Sequence, residues 1–433
     1  MKTPKKPNRK DADLTAAAKA FALAFSNAAA AQTPLTGLTP GSGMSLGAAG
    51  IVEITDDIAK TVATLRARAM KILGTKAGHE RAMDQTLFKV AHQSTLEKKG
   101  VDAMATALID AVFDQSLVTY EYVAPNQLFR FNGGTKNIEI GNVRAMLTSD
   151  LQTERQAAYP NGKVTLIPGE EFSMSLHGGS ASITLSPICW AVSVDAIAEN
   201  VEEEAKWLID VAVSLLRLCH SQWEGLPPVI GNSEPHPIQK PIRQNQGIKI
   251  QGPKVLAGGG VTPPWYEIDP GVEATVAAAE FKTKAAAIFS PTKDSVAARV
   301  SQGLGWLTRG RQSADRAERL LYFFTAIEAL LSGTDKTAPV VQTIARHAAV
   351  MLSNDNADRE RHASRLKTLY SLRSALVHNG TRSVDWTTAN SAQEYAEALF
   401  YVALDKVSLT GRHDSFSNDL AKASYGLAWP TAP

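Results

Sequence analysis

The spacing of apolar residues changes twice along the chain. From Ile51 onward, apolar residues recur at three- and four-residue steps in IVEITDDIAKTVATLRARAMKIL and VDAMATALIDAVFDQSLV, which predicts amphipathic helices. Between about Leu128 and Val194, short alternating runs surround Asn-Gly and Gly-Gly pairs in FRFNGG, AYPNGKVTLI and LHGGS, and this pattern indicates β-hairpins. Helical spacing then returns. It predicts helices over about 201–223, 272–289, 294–308, 313–332, 337–353, 359–378 and 388–409.

A stretch rich in proline and glycine, residues 224–271, separates the β-containing part from the later helices. Its composition predicts a long connection between two domains. The sequence therefore predicts an α+β chain with a mixed helical and β-hairpin domain followed by an all-α bundle. The predicted segments are a flexible Ala/Gly/Pro-rich segment at 1–50, a mixed domain at 51–223, the connection at 224–271, the bundle at 272–410 and a tail at 411–433.

Composition narrows the class of protein. The chain has 433 residues, 44% of them hydrophobic, enough for two or three domains with cores. Its two cysteines cannot form a disulfide framework, which favours a reducing, cytoplasmic setting. The Ala-rich run near the N-terminus is interrupted by Lys19 and Asn27 and follows Asp11 and Asp13. It therefore indicates a helix or a mobile tail rather than an export signal, and no membrane association is predicted.

Several common catalytic motifs are absent from the sequence. It has no Gly-rich phosphate loop ending in Lys-Ser/Thr, no His-Glu-x-x-His helix and no nucleophile elbow. The nine histidines lack metal-ligand spacing, so no metal or cofactor is predicted. His177 is expected in a hairpin turn at the surface, and His347 is expected to be structural.

Two charged residues interrupt apolar helical stripes. Glu328 shares a stripe with Phe324 and Leu331, and Arg373 lies among Leu369 and Leu376. A guanidinium on an apolar face is costly unless a carboxylate or a phosphate meets it. The two side chains are therefore expected to pair, either as a structural ion pair or as part of a site.

The end of the same predicted helix reads YSLRSALVHNG. His378 falls in its last turn, where the helix dipole favours a protonated ring. Gly380 is placed to cap the helix in the left-handed conformation. The stretch can be read as an ordinary helix end or as a small catalytic or phosphate-binding site.

The C-terminal part resembles the Apea-like branch of the HEPN superfamily, over about residues 295–410. The resemblance lies in DRAERLLYFFTAIEALL, IARHAAVML and LKTLYSLRSALVHNG. Family members carry an acidic residue on an early apolar helix, and an Arg followed after four to six residues by His near the end of a later one. Glu328, Arg373 and His378 fit these positions. Ser374 stands where many active members have Asn, Asp or His, and serine can still donate and accept a hydrogen bond.

The resemblance implies an endoribonuclease that acts as a homodimer, with Arg373, His378 and Glu328 as catalytic residues. Tyr370, Ser374 and Asn379 would support them. The expected products of RNA cleavage are a 2′,3′-cyclic phosphate and a 5′-hydroxyl. Such proteins often serve in bacterial antiviral defence, through abortive infection, or act as toxins. The N-terminal region would then sense a trigger, such as a regulatory or phage-derived molecule, or select the substrate.

Helix geometry limits how one chain can use Arg373 and His378 together. Residues five apart on an ideal helix point about 140° away from each other. Arg373 and His378 therefore cannot aim at one phosphate from a single straight helix. Either the helix is distorted near its end, or a second copy completes the site.

The charge distribution is compatible with RNA as a partner. From Val296 to Arg382 there are thirteen Lys/Arg and seven Asp/Glu, a local net charge of +6 in a chain of net +2. The candidates for contact with the RNA backbone are Arg359, Arg361, Arg365 and Lys367. Two alternatives to a nuclease stay open: a non-catalytic RNA-binding or dimerisation module, and a helical protein-interaction scaffold.

Overall fold

The chain divides into two compact units in the computed structural model. The model describes residues 10–31, 43–45, 51–74, 77–220, 234–239, 249–256, 266–333, 340–380, 382–427 and 429. Unit 1 comprises residues 1–120 and 194–204, and unit 2 comprises residues 121–193 and 205–433. The fold is α+β, with a mixed N-terminal region and an all-helical C-terminal part.

Unit 1 is built from four helices and a short antiparallel strand pair. The elements are α1 (Ala12–Ala31), β1 (Gly43–Ser45), β2 (Ile51–Glu53), α2 (Asp56–Leu73), α3 (Glu80–Leu96) and α4 (Val101–Asp114). Side chains from all four helices form one core. The buried ring of Phe21 in this core meets the partly buried ring of Phe88 edge to face at 5.6 Å.

The first helix overturns part of the prediction for residues 1–50. Residues 12–31 are not flexible, because Phe21 and Phe25 of α1 are fully buried and Arg68 donates two hydrogen bonds to Asp11, at 3.0 and 2.8 Å. Among the described residues, α1 is also the one helix long and apolar enough to cross a membrane. Seven of its residues are buried within unit 1, as in a core helix. Residues 1–9, 32–42 and 46–50 lie outside the described part.

Most of the described strands lie between residues 118 and 196. A four-stranded sheet has the order β3-β10-β6-β5, and a three-stranded sheet has the order β7-β9-β8. The strands are β3 (Val118–Pro125), β4 (Phe129–Phe131), β5 (Asn137–Ile140), β6 (Val143–Leu147), β7 (Val164–Pro168), β8 (Ser173–His177), β9 (Ser180–Leu185) and β10 (Ile188–Ala196). Helix α5 (Thr148–Ala158) connects β6 of the four-stranded sheet to β7 of the three-stranded sheet.

One of the three predicted hairpin turns is confirmed. Gly178 and Gly179 connect β8 to β9, and His177 is the exposed last residue of β8. The hairpins predicted at FRFNGG and AYPNGKVTLI are wrong. Strand β4 instead pairs in parallel with a distant strand, β13 (Tyr266–Ile268), and β7 pairs in parallel with β9. Turn residues alone do not reveal which strand is the partner.

Residues near both ends of 224–271 are packed into unit 2, so this segment does not divide the domains as predicted. Pro237 accepts a hydrogen bond from the buried indole of Trp190 at 2.9 Å. Glu234 and Tyr266 are buried as well. A further hairpin, β11 (Lys249–Gln251) with β12 (Lys254–Leu256), follows within the same segment. Residues 221–233, 240–248 and 257–265 lie outside the described residues.

The predicted helices are confirmed with shifted ends. They are α6 (Val201–Cys219), α7 (Pro270–Ala277), α8 (Ala279–Phe289), α9 (Val296–Gln312), α10 (Arg316–Leu331), α11 (Val340–Leu352), α12 (Asn356–Asn379) and α13 (Trp386–Lys406). The segment 272–289 is two helices, because Ala278 is extended. The predicted tail at 411–433 is wrong in part, because α14 (His413–Ala423) buries Phe416 and Leu420.

Local sequence explains where the later helices begin. The side chains of Ser295, Asp315, Asp355 and Asp385 each accept a backbone N–H in the first turn of the helix that follows, at α9, α10, α12 and α13. Glycines let α9 approach its neighbours closely. A methyl group at Gly303 would overlap the ring of Phe400, and one at Gly310 would lie 2.7 Å from Phe323.

Arg311, at the end of α9, is the centre of a buried group of charges. Its Nε lies 2.5 Å from Oε2 of Glu234, its Nη1 lies 2.7 Å from Oε1 of Glu397 on α13, and its Nη2 lies 3.3 Å from the Tyr266 hydroxyl. Arg217 of α6 donates to the other oxygen of Glu397 at 2.9 Å. Burial opposes the charge of Arg311, but the two carboxylates outweigh burial and raise its pKa.

A second buried arginine connects α10 to this group. Arg319 donates to Oε1 of Gln393 at 2.5 Å and to the backbone carbonyl of Arg311 at 3.2 Å. Burial and, second, the charge of Arg311 lower the pKa of Arg319 to about 10, so it stays charged at neutral pH. Gln393 in turn donates to Glu397 at 3.1 Å. The network therefore joins α6, α9, α10 and α13.

Replacing Arg311 with methionine should strongly destabilise the protein. The substitution Arg311→Met leaves Glu234 and half of Glu397 buried without a cation, and breaking a buried pair costs about 3–5 kcal/mol. The matched control is Arg361→Met, because the Arg361 side chain is 71% exposed and its ion pair, among the described residues, is with Asp358 on the same helix. The control should change stability by less than about 0.5 kcal/mol. Equal chemical denaturation midpoints for the two variants would contradict a supporting role for the network.

Candidate functional site

The structure brings Glu328 and Arg373 together, as the sequence predicts. Nη2 of Arg373 lies 3.1 Å from Oε2 of Glu328, so α12 and α10 are joined by a single ion pair. About one-fifth of each side chain is exposed: 21% for Arg373 and 22% for Glu328. The pair is therefore neither fully enclosed nor an ordinary surface ion pair.

Tyr370 completes this cluster one turn before Arg373. Its ring packs edge to face against Phe324 at 5.9 Å, and the Arg373 guanidinium carbon lies 5.6 Å from the ring centroid. The Tyr370 hydroxyl is also hydrogen-bonded to Glu328. The aromatic ring thus fixes both members of the ion pair.

Burial shifts the pKa values of this cluster, and Glu328 uses only part of the hydrogen-bonding capacity of the Arg373 guanidinium. Burial raises the pKa of Glu328, while Arg373 and Tyr370 act in the opposite direction. Burial, and then the charge of Glu328, raises the pKa of Tyr370, so its hydroxyl stays protonated and donates. Nε of Arg373 is buried and has no hydrogen-bond partner among the described residues. A guanidinium with five N–H groups is engaged here by one carboxylate oxygen, through Nη2.

His378 and Asn379 are exposed at the end of α12. Gly380 caps the helix in the left-handed conformation, with φ 67° and ψ 16°, as the sequence predicts. Because little packs against the ring of His378, its presence is not explained by the core. The ring is accessible to solvent.

Arg373 and His378 stay on different sides of α12. The helix is continuous from Asn356 to Asn379, so it has no break that would bring the two side chains together. Ideal geometry places them about 140° apart around the axis. Ser374, half-buried, lies between these directions. One chain therefore does not direct both groups at a single point.

The four basic residues proposed to contact RNA behave differently from one another. Arg359 donates to the carbonyls of Ser353 at 2.7 Å and Ala423 at 3.2 Å, so its guanidinium is already engaged within the fold. Arg361 pairs with Asp358 at 2.8 Å, and Arg365 donates to Ser391 at 3.2 Å. These two and Lys367 are exposed.

His347 is structural, as expected from the sequence. It is 4% exposed and hydrogen-bonded to the backbone of Leu331, and burial, together with the nearby charge of Arg346, lowers its pKa to about 4. Sequence reasoning missed His413, whose Nε2 lies 2.8 Å from the carbonyl of Leu330. Two buried imidazoles thus contact the C-terminal end of α10, the helix that carries Glu328.

Sequence reasoning also missed Asp210, a buried carboxylate on α6. Burial raises its pKa to about 6, against the opposing charge of Arg309. Its two oxygens contact Nε of Arg309 at 3.2 Å and Nε2 of Gln312 at 3.1 Å. The signal that identified Glu328, a charged residue within an apolar helical stripe, would have found Asp210 too. Because both oxygens are occupied, this carboxylate holds α6 against α9.

Within the described part of the chain, no three His, Cys, Asp or Glu side chains are arranged to hold a metal ion. Comparisons with protein-family models, with curated proteins and with solved structures found no match for this chain.

A double-mutant cycle should reveal coupling between Glu328 and Arg373. The variants Glu328→Gln, Arg373→Ala and the double variant are compared by thermal or chemical denaturation. For a half-buried contact we expect a coupling free energy of about 1 kcal/mol or more. The control is the same cycle on exposed Asp358 and Arg361, where about 0.5 kcal/mol or less is expected. Additive effects at Glu328 and Arg373 would show that the two side chains do not interact.

Proposed function

We propose that this chain is a metal-independent endoribonuclease of HEPN type that works as a homodimer. The observation that carries the proposal is the half-buried Glu328–Arg373 pair on facing helices, with the exposed His378 on the helix that presents Arg373. Arginine suits the recognition of phosphate, and histidine suits proton transfer near neutral pH. The resemblance of these positions to HEPN domains points to the same chemistry.

The proposed reaction uses the substrate's own nucleophile. The 2′-hydroxyl of one nucleotide attacks the adjacent phosphorus, and the bond from phosphorus to the 5′-oxygen breaks. His378 accepts the 2′ proton as general base, and its protonated ring then supplies a proton to the leaving 5′-oxygen as general acid. The products are a 2′,3′-cyclic phosphate and a 5′-hydroxyl.

Arg373 would bind the scissile phosphate and offset the charge that develops on its oxygens. Glu328 and Tyr370 position Arg373, since they contact its guanidinium and do not face the solvent as His378 does. Ser374 and Asn379 are placed to donate further hydrogen bonds at the same end of α12. The proposal assigns no step to a metal ion.

Two copies are required by the helix geometry. Because a straight α12 points Arg373 and His378 about 140° apart, the cleft forms where the ends of two α12 helices meet. An interface about a two-fold axis would place both pairs along one cleft. The chain would then be inactive as a monomer.

The basic side chains divide by their direction around α12. Lys367 lies about 20° from His378 around the axis and about 16 Å along it, the length of a few nucleotides. Arg361 and Arg365 point to the other flank. Lys367 is therefore the best candidate for gripping RNA on the His378 side, and its contribution would depend on salt concentration.

The biological setting follows from the resemblance. Cleavage of host or viral RNA in the cytoplasm would halt growth, as in abortive infection or toxin action. Unit 1, which has its own core, would sense the trigger or select the RNA.

The substitution His378→Ala should abolish RNA cleavage and leave the fold intact. Loss of a general acid or base costs about 10² to 10⁴ in rate, and an exposed ring contributes little to packing. The matched control is Thr368→Ala, an exposed site on the same helix about 80° away from His378. Cleavage by His378→Ala within a fewfold of wild type, at equal melting temperatures, would refute the catalytic role.

A shared site predicts a specific rescue. Chains carrying Arg373→Ala and chains carrying His378→Ala are each expected to be inactive. When they are mixed and allowed to exchange, a heterodimer in which each site takes Arg373 from one chain and His378 from the other has one complete site. Activity should then return to a fraction of wild type. A protein that is monomeric by light scattering at the assay concentration and still fully active would exclude the shared site.

A further inference from the structure

The three-stranded sheet of unit 2 ends in an unprotected edge strand. All five residues of β8 are exposed, and among the strands that the structure describes β8 pairs with β9 alone. From Phe172 to Leu185 the sequence FSMSLHGGSASITL contains no Asp, Glu, Lys, Arg or Pro. Soluble proteins usually guard an exposed edge with charges, prolines or bulges, because a bare edge pairs with other strands. An edge without these features indicates a binding surface.

The side chains of β8 divide into an apolar and a polar face. Met174 is 60% exposed and Leu176 is 69% exposed, and Phe172, two residues earlier, is 64% exposed. Ser173, Ser175 and His177 alternate with them and point the other way. Within the sheet Met174 stands opposite Ile183, which packs on a buried cluster that includes Leu166 and Leu185. The apolar face of β8 therefore extends this buried cluster onto the exposed edge of the sheet.

The turn after β8 determines which backbone groups point outward. Gly178 and Gly179 have φ of 55° and 80°, as in a two-residue type I′ hairpin. In such a hairpin the flanking residues His177 and Ser180 exchange both backbone hydrogen bonds. Hydrogen-bonded and non-hydrogen-bonded pairs alternate along β8 and β9. The backbone groups of Ser175 therefore point toward β9, and those of Met174 and Leu176 point away from the sheet. The free edge offers the backbone N–H and C=O groups of Met174 and Leu176, two of each kind.

We propose that β8 pairs with β8 of a second copy of this chain, antiparallel, about a two-fold axis through Ser175. Met174 then lies opposite Leu176 of the second copy, and the outward backbone groups of these residues form four hydrogen bonds. The two sheets become one sheet of six strands. The apolar faces join into one stripe that buries Met174 and Leu176 of both copies.

The register follows from the strand itself. Residues directly opposite in an antiparallel pair point to the same side of the sheet, so a shift by one residue would place the apolar face of one copy beside the polar face of the other. Centring on Ser175 pairs all five residues of β8. Glu171 then stands opposite Gly179 of the second copy, so no like charges meet. These properties make the segment complementary to itself, and they favour a second copy over a charged partner.

This contact is separate from the end of α12 and does not rest on the proposed nuclease activity. A chain that used both two-fold contacts would form assemblies larger than a dimer. An inactive protein could still pair through β8, and an active one could lack this contact. The two proposals therefore fail independently.

Cysteine cross-linking tests the pairing and its register. Ser175→Cys places two thiols opposite each other at a non-hydrogen-bonded pair, where Cα atoms are about 4.5 Å apart, within disulfide reach. Under mild oxidation we expect most of the full chain to form a covalent dimer. The matched control is Ser182→Cys, exposed on the same face of the sheet and one strand further in. The unmodified chain, with Cys189 and Cys219, gives the background.

Absence of a Ser175→Cys dimer above the Ser182→Cys level would overturn the proposal.

A second variant tests the interface without oxidation. Leu176→Glu places one charge from each copy on the joined apolar stripe. It should at least halve the molar mass measured by light scattering at micromolar concentration. The control Ser182→Glu should leave that mass unchanged. Because Leu176 is mostly exposed, both variants should melt like the native protein. An unchanged mass for Leu176→Glu, or recruitment of a monomeric native chain to lipid vesicles through this edge, would contradict self-pairing.

Discussion

Burial of the Arg311 guanidinium between Glu234 and Glu397 is the interaction on which the helical part of unit 2 depends. A buried guanidinium needs opposite charges beside it. The carboxylates that meet Arg311 come from residues 77 and 86 positions away in sequence. The match is possible only when α9, α13 and the segment at 234–239 adopt one arrangement. Arg319 extends the same requirement to α10.

The candidate site is a consequence of that arrangement. Once α10 is held by Arg319 and by the close contact of Phe323 with Gly310, Glu328 faces α12 from a fixed position. Tyr370 and Arg373 then meet it from the facing helix. Two buried histidines hold the far end of α10 through its last carbonyls. The core thus contains several matched charges, and the pair at Glu328 and Arg373 is partly open to solvent.

The sequence predicts the local elements of this protein well. Helical periodicity located the helices of the C-terminal part, the pair of charged residues in apolar stripes predicted the contact of Glu328 with Arg373, and Gly380 predicted the end of α12. These successes share one cause, since each depends on neighbours within a few residues or on the cost of burying a charge.

Long-range organisation was harder to predict. The Pro- and Gly-rich stretch suggested a domain boundary, but Glu234 and Tyr266 within it are drawn into the core by Arg311. Arg311 itself follows a glycine near a helix end and looks like a surface residue. Asn-Gly pairs suggested hairpins where β4 and β7 pair in parallel with distant strands. Arg359 belongs to a basic cluster in the sequence, yet it is used by backbone carbonyls of two other segments.

The most direct test of the proposed function is an RNA cleavage assay on the purified full chain, run with and without EDTA, with analysis of the product ends. Cleavage that survives EDTA and leaves 2′,3′-cyclic phosphate and 5′-hydroxyl ends is the predicted result. RNA that is bound but stays intact would support a non-catalytic RNA-binding module. RNA that is neither bound nor cut, or cleavage that EDTA abolishes, would contradict a metal-independent nuclease built on Arg373 and His378.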